Sequence, residues 1–385
     1  TALNQHLGII NMSNIYSVTD KVLCDALNQS QVTQNEMREL FLSRGIIISK
    51  NTDRKLLAKN FSKFTHDYYD HQKIAEILGS EPRRERSTSR LVSNMPEKTI
   101  LLKAADTLKK ELTDHKDLCH VVADRSGMIN VHITYMSTNF SKSDFKQVVK
   151  KQAVIEVEPT EDGYVIRRPD NEQTEVYENQ LLAIVERLSK EKAIEEGKPI
   201  SEATLDIQEI SLENIDSPQS RTDFFTKLIN GLEGYDLDDV TDAYVYHPKP
   251  EEIEEEDGET DIGVHVSKAS LKGEGVLKSE EINSLYERGF YICKIKWRVK
   301  EKGADPNIFE FEAQFNDAQN FKGFSYIAKG IKKYKGGGEY NKTIVQLNDG
   351  QKLFFSRMIE KTARSIIIEL NKQAQGKKDG KSHQD

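Results

Sequence analysis

The most regular hydrophobic pattern lies in the C-terminal part of the chain, where apolar and polar residues alternate. Apolar residues occupy every second position in residues 291–299, and the same period of two returns in residues 309–315. A loop rich in Gly, Asp, Pro and Asn separates the two runs. This pattern predicts an antiparallel β-hairpin with one face in a hydrophobic core and the other face polar.

The polar face of this hairpin carries charges of both signs. If the last apolar residue of the first strand pairs with the first apolar residue of the second, Arg298 lies opposite Glu310. The same register sets Lys296 opposite Glu312. Cross-strand ion pairs are a sufficient reason for these charges, although a basic strand face is also compatible with contacts to phosphates.

Apolar residues spaced three and four apart predict helices in the rest of the chain, and short β-branched runs between turn residues predict strands. The predicted helices cover residues 18–27, 35–43, 54–64, 66–78, 97–112, 178–196, 218–232 and 356–373. The predicted strands cover a hairpin at 118–136 and residues 154–157, 164–167, 176–177, 205–212, 241–246, 344–347 and 352–355. The last two form a predicted hairpin, because Asp349-Gly350 is a strong turn signal.

These elements indicate an α+β, multidomain protein with a helical N-terminal module, a mixed middle domain, and a C-terminal antiparallel sheet with a closing helix. Residues 81–96 are rich in arginine and serine, and residues 247–263 are rich in carboxylates, so both are interpreted as linkers. The predicted segments are 1–80 (helical module), 81–96 (basic linker), 97–246 (mixed α/β middle domain), 247–263 (acidic linker), 264–373 (C-terminal α+β domain) and 374–385 (disordered basic tail).

Charge is segregated along the chain. The overall net charge is −8, but residues 156–262 carry −22, whereas residues 1–155 carry +6 and residues 263–385 carry +8. Basic ends can approach a polyanion that an acidic middle repels. The alternative is that the three regions neutralise one another across domain or subunit contacts.

The cysteine count and the hydropathy indicate a cytoplasmic protein. Cys24, Cys119 and Cys293 are odd in number, far apart and without a CxxC pair, as expected for reduced thiols. No apolar run approaches the length of a membrane span, and nothing at the start of the chain has the features of a signal peptide.

Residues 32–61 combine a helix that ends at Arg44-Gly45, an apolar extended link, a polar turn and a second helix. The residues that carry this pattern are Leu40, Arg44, Gly45, Ile46, Ser49, Lys50, Leu56 and Leu57. The segment resembles a SAP-type helix–extended–helix module, and the resemblance implies binding to the DNA backbone without strong sequence readout. It departs from the family where residues 51–53 replace the usual glycine-containing turn. The alternative is an ordinary helical bundle.

Basic residues are concentrated in and just after this segment. Lys55, Lys59 and Lys63 recur at the spacing of one helix face, where cations can neutralise phosphates. The candidate nucleic-acid-binding residues of the N-terminal region are Arg44, Lys50, Arg54, Lys55, Lys59, Lys63, Arg83 and Arg84. A solvated helix face is the structural alternative.

A second candidate site interleaves lysines with aromatic residues in residues 321–342 and includes the triglycine at 336–338. Glycines let backbone N–H groups approach an anion, lysines supply charge, and aromatic rings can stack on bases. The candidate residues are Lys329, Lys332, Lys333, Tyr334 and Lys335. Some of the aromatic residues are expected in the core, and no phosphate-binding GxxxxGK[ST] loop is present.

Two short motifs offer a catalytic alternative. His132 with Thr134, and His265 with Ser267, both match H-x-[ST] within β-branched runs. Two such motifs facing one cleft resemble the two-histidine phosphoesterases, in which the histidines act as general acid and base on a phosphodiester. The sequence shows no complete set of metal ligands. Helical spacing places four residues close together, but no further ligand completes a site: His66, Asp67, Asp70 and His71.

The basic ends, the interleaved lysines and aromatic residues, and the lack of a recognisable catalytic set favour a non-catalytic nucleic-acid-binding protein. We expect DNA as the nucleic acid, no cofactor, no membrane, and a protein partner or a second copy in a larger prokaryotic genome-maintenance or antiviral complex. Two alternatives stay open. One is a phosphodiesterase or nuclease using His132 and His265, and the other is a protein–protein adaptor that binds no nucleic acid.

Overall fold

The computed structural model describes residues 18–79, 85–94, 96–114, 117–215, 217–248 and 267–381. The helices in this part of the chain are α1 (Asp20–Leu27), α2 (Gln34–Leu42), α3 (Arg54–Phe61), α4 (Tyr68–Gly79), α5 (Lys98–Asp114), α6 (Glu172–Glu195), α7 (Pro218–Asn230), α8 (Glu280–Glu287) and α9 (Asp349–Lys381). The strands are β1 (Ser87–Val92), β2 (Leu118–Ala123), β3 (Ile129–Thr138), β4 (Val148–Thr160), β5 (Gly163–Pro169), β6 (Ile207–Glu209), β7 (Tyr235–Tyr246), β8 (Lys268–Lys272), β9 (Tyr291–Glu301), β10 (Ile308–Asp317), β11 (Lys322–Lys332), β12 (Tyr334–Gly336) and β13 (Glu339–Tyr340).

The protein has the predicted α+β fold, with helices at the N-terminal end, a large antiparallel sheet and a C-terminal helix. Internal contacts divide it into two units. The first is drawn from Thr1–Arg83, Leu101–Asp124 and Ile129–Ile155. The second is drawn from Arg84–Ile100, Arg125–Met128 and Glu156–Asp385.

In the first unit, helices α1 to α4 begin where the sequence provides caps. The Thr33 side chain accepts a hydrogen bond from the Glu36 amide while Glu36 binds back to the Thr33 amide, which satisfies two free N–H groups at the start of α2. Asp53 caps α3 in the same way through the Leu56 amide. The buried faces of these helices share a core that includes Leu27, Met37, Leu40, Phe41, Leu57, Phe61, Ile74 and Phe145.

The first unit also contains strands β2 and β3 of the predicted hairpin at 118–136, whose turn residues 125–128 are grouped with the second unit. Gly127 has φ +93°, a left-handed conformation that favours glycine over other residues. Residues 129, 131, 133 and 135 of β3 are buried, and the alternate positions point to the more exposed face. The period of two is therefore visible in the burial of this strand.

The second unit is built on an antiparallel sheet with the strand order β5–β1–β11–β10–β9–β7–β8, in which β6 pairs with β1 and residues 156–160 of β4 pair with β5. Helices α7 and α9 contact this sheet at β9 and β11 and also contact each other. Their apolar residues bury one sheet face in a core that includes Phe224, Phe225, Trp297, Phe309, Phe311, Phe315, Phe324 and Phe355. The predicted hairpin of β9 and β10 is confirmed, and Val299 pairs with Phe309.

A buried ion-pair network fixes α9 to the sheet. Arg167 of β5 makes two hydrogen bonds to the Glu360 carboxylate of α9, at 2.6 and 2.7 Å. The Tyr326 hydroxyl of β11 donates a hydrogen bond to the same carboxylate. Arg167, Tyr326 and Glu360 are each less than 5% exposed, so each charge depends on its partner to offset its desolvation.

Strand β1 lies where the sequence analysis predicts a linker. Ser87–Val92 pairs with β5 along its whole length and also contacts β11 and β6. Polar residues occupy the middle of this strand. Ser89 is only 5% exposed, and Arg90 forms ion pairs with Glu175 and Glu209. Polar contacts to distant parts of the chain stabilise this strand. The sequence therefore lacks the hydrophobic alternation from which a strand is predicted.

Two other predicted elements are wrong. Residues 176–177 lie within α6 and form no strand. Asp349-Gly350 does not turn a hairpin but begins α9, because the Asn348 side chain accepts a hydrogen bond from the Gln351 amide and caps the helix. Helix α9 continues to Lys381, into the segment predicted as a disordered tail.

The predicted domain boundaries also differ from the observed units. The middle domain is divided between the two units. Strand β7, which precedes the predicted acidic linker, pairs with β9, which follows it. Both strands therefore belong to one sheet, and residues 249–266 of that linker lie outside the described residues.

Candidate nucleic-acid interface

The lysine- and glycine-rich segment after β11 forms a short hairpin, β12–β13, with Gly336, Gly337 and Gly338 at its tip. All three glycines have positive φ, at +97°, +62° and +82°. A Cβ built on any of them meets nothing within 4 Å, so the tip is open to its surroundings. Glycine is favoured at these positions by the left-handed backbone and not by crowding.

Aromatic side chains stabilise this hairpin. The Tyr334 and Tyr340 rings meet edge to face with centroids 5.4 Å apart. The Gly338 amide donates a hydrogen bond of 3.1 Å to the Tyr334 hydroxyl, and the Tyr334 amide donates one of 3.1 Å to Asn307 Oδ1. These contacts hold both tyrosines half-buried at the base of an exposed turn.

A lysine from the neighbouring strand adds charge to the hairpin. The Lys300 ammonium of β9 lies 5.6 Å from the centroid of the Tyr340 ring. A hydrogen bond to Tyr340 raises the pKa of Lys300, and the negative potential of nearby tyrosine and aspartate oxygens adds to the effect. Neither Lys300 nor Tyr340 belongs to the set predicted from the sequence, although Tyr340 lies within the predicted segment.

The lysines of the hairpin carry charge that nothing described in the structure neutralises. Lys333, Lys335 and Lys342 are exposed, and Lys332 is half-exposed. None of the four forms an ion pair with a described residue, and Glu339, the acidic residue within 332–342, is itself exposed. We call Lys332, Lys333, Lys335 and Lys342, with Tyr334 and Tyr340, the lysine hairpin.

Lys329 differs from these lysines because it is already paired. Its ammonium lies 2.7 Å from Glu312 on β10. Lys294 of β9 contacts the same carboxylate at 2.9 Å, and Arg86 contacts it at 3.3 Å. Burial alone would raise the pKa of Glu312, but hydrogen bonds from Lys294 and Lys329 outweigh it and lower the pKa to about 2.

The open face of the β9–β10 hairpin is therefore neutralised by its own acidic residues. The observed register confirms Arg298 opposite Glu310 and Lys296 opposite Glu312. The ion pairs run diagonally, since Lys296 contacts Glu310 at 3.3 Å rather than the residue directly across from it. Strand β7 contributes further partners, as Arg298 contacts Asp239 at 3.0 Å. The interpretation of these charges as cross-strand pairs is confirmed.

The helix–link–helix geometry expected for residues 32–61 is present. Helix α2 is followed by Gly45 at φ +74°, an irregular link at residues 46–48, and helix α3 capped by Asp53. This arrangement is compatible with the SAP-type resemblance, which remains a prediction. Ile47 of the link is 87% exposed.

Two arginines predicted to bind nucleic acid instead hold this module together. Arg44 donates hydrogen bonds to the Thr65 carbonyl, at 2.6 Å, and to Asp70, at 2.5 Å, and its guanidinium lies 5.2 Å from the Phe61 ring centroid. Arg54 donates to three backbone carbonyls at and beyond the end of α1, those of Asn28, Gln29 and Val32. Both guanidinium groups have partners within the module, so we leave both arginines out of the interface.

The lysines of the module remain available. Lys50, Lys55, Lys59 and Lys63 are exposed and form no ion pair with any described residue. Arg83 and Arg84, which complete the predicted N-terminal set, lie outside the described residues.

Of the two histidines in the catalytic alternative, only His132 lies among the described residues. His132 lies on the exposed face of β3, directly opposite His120 of β2, and Thr134 lies opposite Leu118. His265 lies outside the described residues. Ser267 accepts a backbone hydrogen bond of 2.9 Å from the His247 amide.

The histidines near α4 also have structural partners. His66 Nε2 lies 2.9 Å from the Phe61 carbonyl, and its Nδ1 lies 3.2 Å from the Arg44 guanidinium. Burial lowers the pKa of His71, and the neighbouring His66 lowers it further. Among the described residues, no group of three or more His, Cys, Asp or Glu side chains is arranged to hold a metal ion.

No protein-family model matches the chain, and no curated protein is detectably similar to it. Of the helices in the described ranges, none combines the length and the apolar composition that a membrane crossing needs.

Proposed function

We propose that the protein binds nucleic acid, with DNA as the first candidate, through contacts to the phosphate backbone, and that it acts as a non-catalytic component of a larger complex. The observation that carries the proposal is the lysine hairpin, in which four cations lie close together without a partner among the described residues. In contrast, Lys294, Lys296 and Lys329 on strands β9 and β11 of the large sheet are paired with carboxylates.

Unpaired lysines on an exposed turn suit a polyanion for two physical reasons. Each cation that neutralises a phosphate releases condensed counterions, which favours binding at low salt. The open glycine tip lets a phosphate backbone approach without meeting side chains. Lysines act as point charges and read no base edges, so the proposed contact has little sequence preference.

The exposed lysines of the helical module support the same function independently. Lys55 and Lys59 lie one helical turn apart on α3, whereas Lys63 lies in the turn that follows the helix. A SAP-type module would use such a surface on the DNA backbone.

A salt titration with a matched control tests this proposal. Binding of the full chain to labelled duplex and single-stranded DNA is measured between about 50 and 200 mM salt. The test variant changes Lys333, Lys335 and Lys342 to Glu. The control changes Lys278, Lys361 and Lys372 to Glu, three exposed lysines of the same unit without ion pairs among the described residues, so both variants alter the net charge equally.

We expect steep weakening with salt, and a large loss of affinity in the test variant but not in the control. The slope of log K against log salt should fall by about 0.9 for each phosphate contact removed. Equal weakening in both variants would reduce the effect to overall charge and contradict a specific interface. No binding at low salt would overturn the proposal and favour the protein–protein adaptor.

A further inference from the structure

The β2–β3 hairpin places two histidines side by side, a pairing that the sequence analysis did not identify. The register sets His120 of β2 directly opposite His132 of β3. Both side chains are exposed on the same face, and the sheet order ends at β2. Residues directly opposite in an antiparallel pair have Cβ atoms about 4.5–5.5 Å apart. Two imidazoles can therefore meet across the strands.

We infer that His120 and His132 form a two-histidine chelating site for a divalent transition-metal ion. Neutral imidazole binds Zn²⁺, Ni²⁺ and Cu²⁺ well, with metal–nitrogen distances of about 2.0–2.1 Å. Two ring nitrogens bound to one ion lie roughly 3 Å apart, a separation that opposite side chains on paired strands can reach. Water fills the remaining positions, so the site is open rather than structural.

The charges of the neighbouring residues are compatible with an ion at this position. No lysine or arginine is among the β2–β3 residues that share this face, so no cation on these strands repels the ion.

Cys119 is excluded as a ligand, although it lies next to His120 in the sequence. Alternation along the strand turns its side chain to the opposite face. The proposed donor set is thus nitrogen only, which favours Cu²⁺ over Ni²⁺ and Zn²⁺ in affinity.

The site is tested by titrating the metal-free full chain, without a histidine tag, with Ni²⁺ and Cu²⁺ at pH 7.5. We expect one ion per chain, and at least about tenfold weaker binding in both H120Q and H132Q, because either substitution leaves a single imidazole. H383Q removes a histidine elsewhere and should leave the affinity unchanged. Circular dichroism of each variant confirms that the hairpin still folds.

A spectroscopic measurement separates a chelate from scattered surface binding. Cu²⁺ electron paramagnetic resonance should show coupling to two imidazole nitrogens in the wild-type protein and one in each single variant. No binding by the wild-type chain would overturn the inference, as would affinity that survives in the H120Q/H132Q double variant.

Discussion

Replacing Glu312 by Gln is the sharpest test of how the charged sheet face is built. The carboxylate accepts contacts from Lys294, Lys329 and Arg86, and the residue is 7% exposed. The pKa of Glu312 is lowered from its ordinary value of 4.5 to about 2. A lowered pKa in the folded state means that the ionised carboxylate stabilises the fold.

The difference between these two pKa values is worth about 3 kcal/mol, since a tenfold change in an equilibrium corresponds to about 1.4 kcal/mol. This contribution is present above the unfolded-state pKa near 4.5. It is lost as the pH falls through the folded-state value of about 2. We therefore expect E312Q to lower the free energy of unfolding by up to about 3 kcal/mol at pH 7, and by roughly half as much at pH 3.

The assay uses the single tryptophan of the chain. Trp297 is fully buried in β9, where it pairs with Phe311 of β10. Its emission during urea unfolding reports the loss of the sheet that contains Glu312. The matched control is E339Q, an exposed carboxylate in the lysine hairpin, which should change the stability by less than about 0.5 kcal/mol.

The reasoning would be refuted by a destabilisation that is the same at pH 7 and pH 3. Such a result would mean that the substitution acts through packing or hydrogen-bond geometry and not through the charge of Glu312. A loss below about 0.5 kcal/mol at pH 7 would also contradict it, since the carboxylate would then gain little from its three cations.

Three further substitutions test other parts of the structure. Gly330→Ala places a Cβ 2.5 Å from the Val345 carbonyl, so we expect a loss of about 1–3 kcal/mol by urea unfolding and weaker DNA binding if the lysine hairpin shifts. Glu360→Gln breaks the buried pair with Arg167 and should cost about 3–5 kcal/mol in the same assay, whereas K361Q should cost almost nothing. Arg54→Met leaves three carbonyls without their donor and should speed hydrogen exchange in α1 and α3.

The sequence predicts the β9–β10 hairpin correctly because one face of the sheet is buried. A one-residue slip would move every core side chain of these strands to the solvent face, so the alternation specifies the register. The α2 and α3 helices are predictable for a similar reason, since their caps are local in the sequence.

Strand β1 is not predictable from local hydrophobic alternation, because the strands with which it pairs are distant in the sequence. Ser89 and Arg90 are polar, and they belong to a strand only because β5, β6 and β11 surround them. The Asp349-Gly350 pair misleads for the opposite reason, as a strong local turn signal is overridden by the Asn348 cap.

In the candidate site, too, local features are predictable from the sequence and long-range contacts are not. The lysine hairpin is contiguous in the sequence, so its composition predicts it. The roles of Arg44 and Arg54 depend on carbonyl groups that only the folded backbone brings within reach. The His120–His132 pair depends on strand register, which a search for motifs within a single segment does not examine.

The position of β1 has a consequence for how the chain folds. Ser87 pairs with Tyr326, and the Thr88 hydroxyl donates a hydrogen bond of 2.9 Å to the Phe324 carbonyl, so contacts at the centre of the sheet join residues 236 positions apart. Such long-range contacts slow folding, because the chain must close a large loop before the pairing stabilises it. During synthesis, β1 stays unpaired until most of the protein has emerged. Its polar residues keep the unpaired strand soluble during this time.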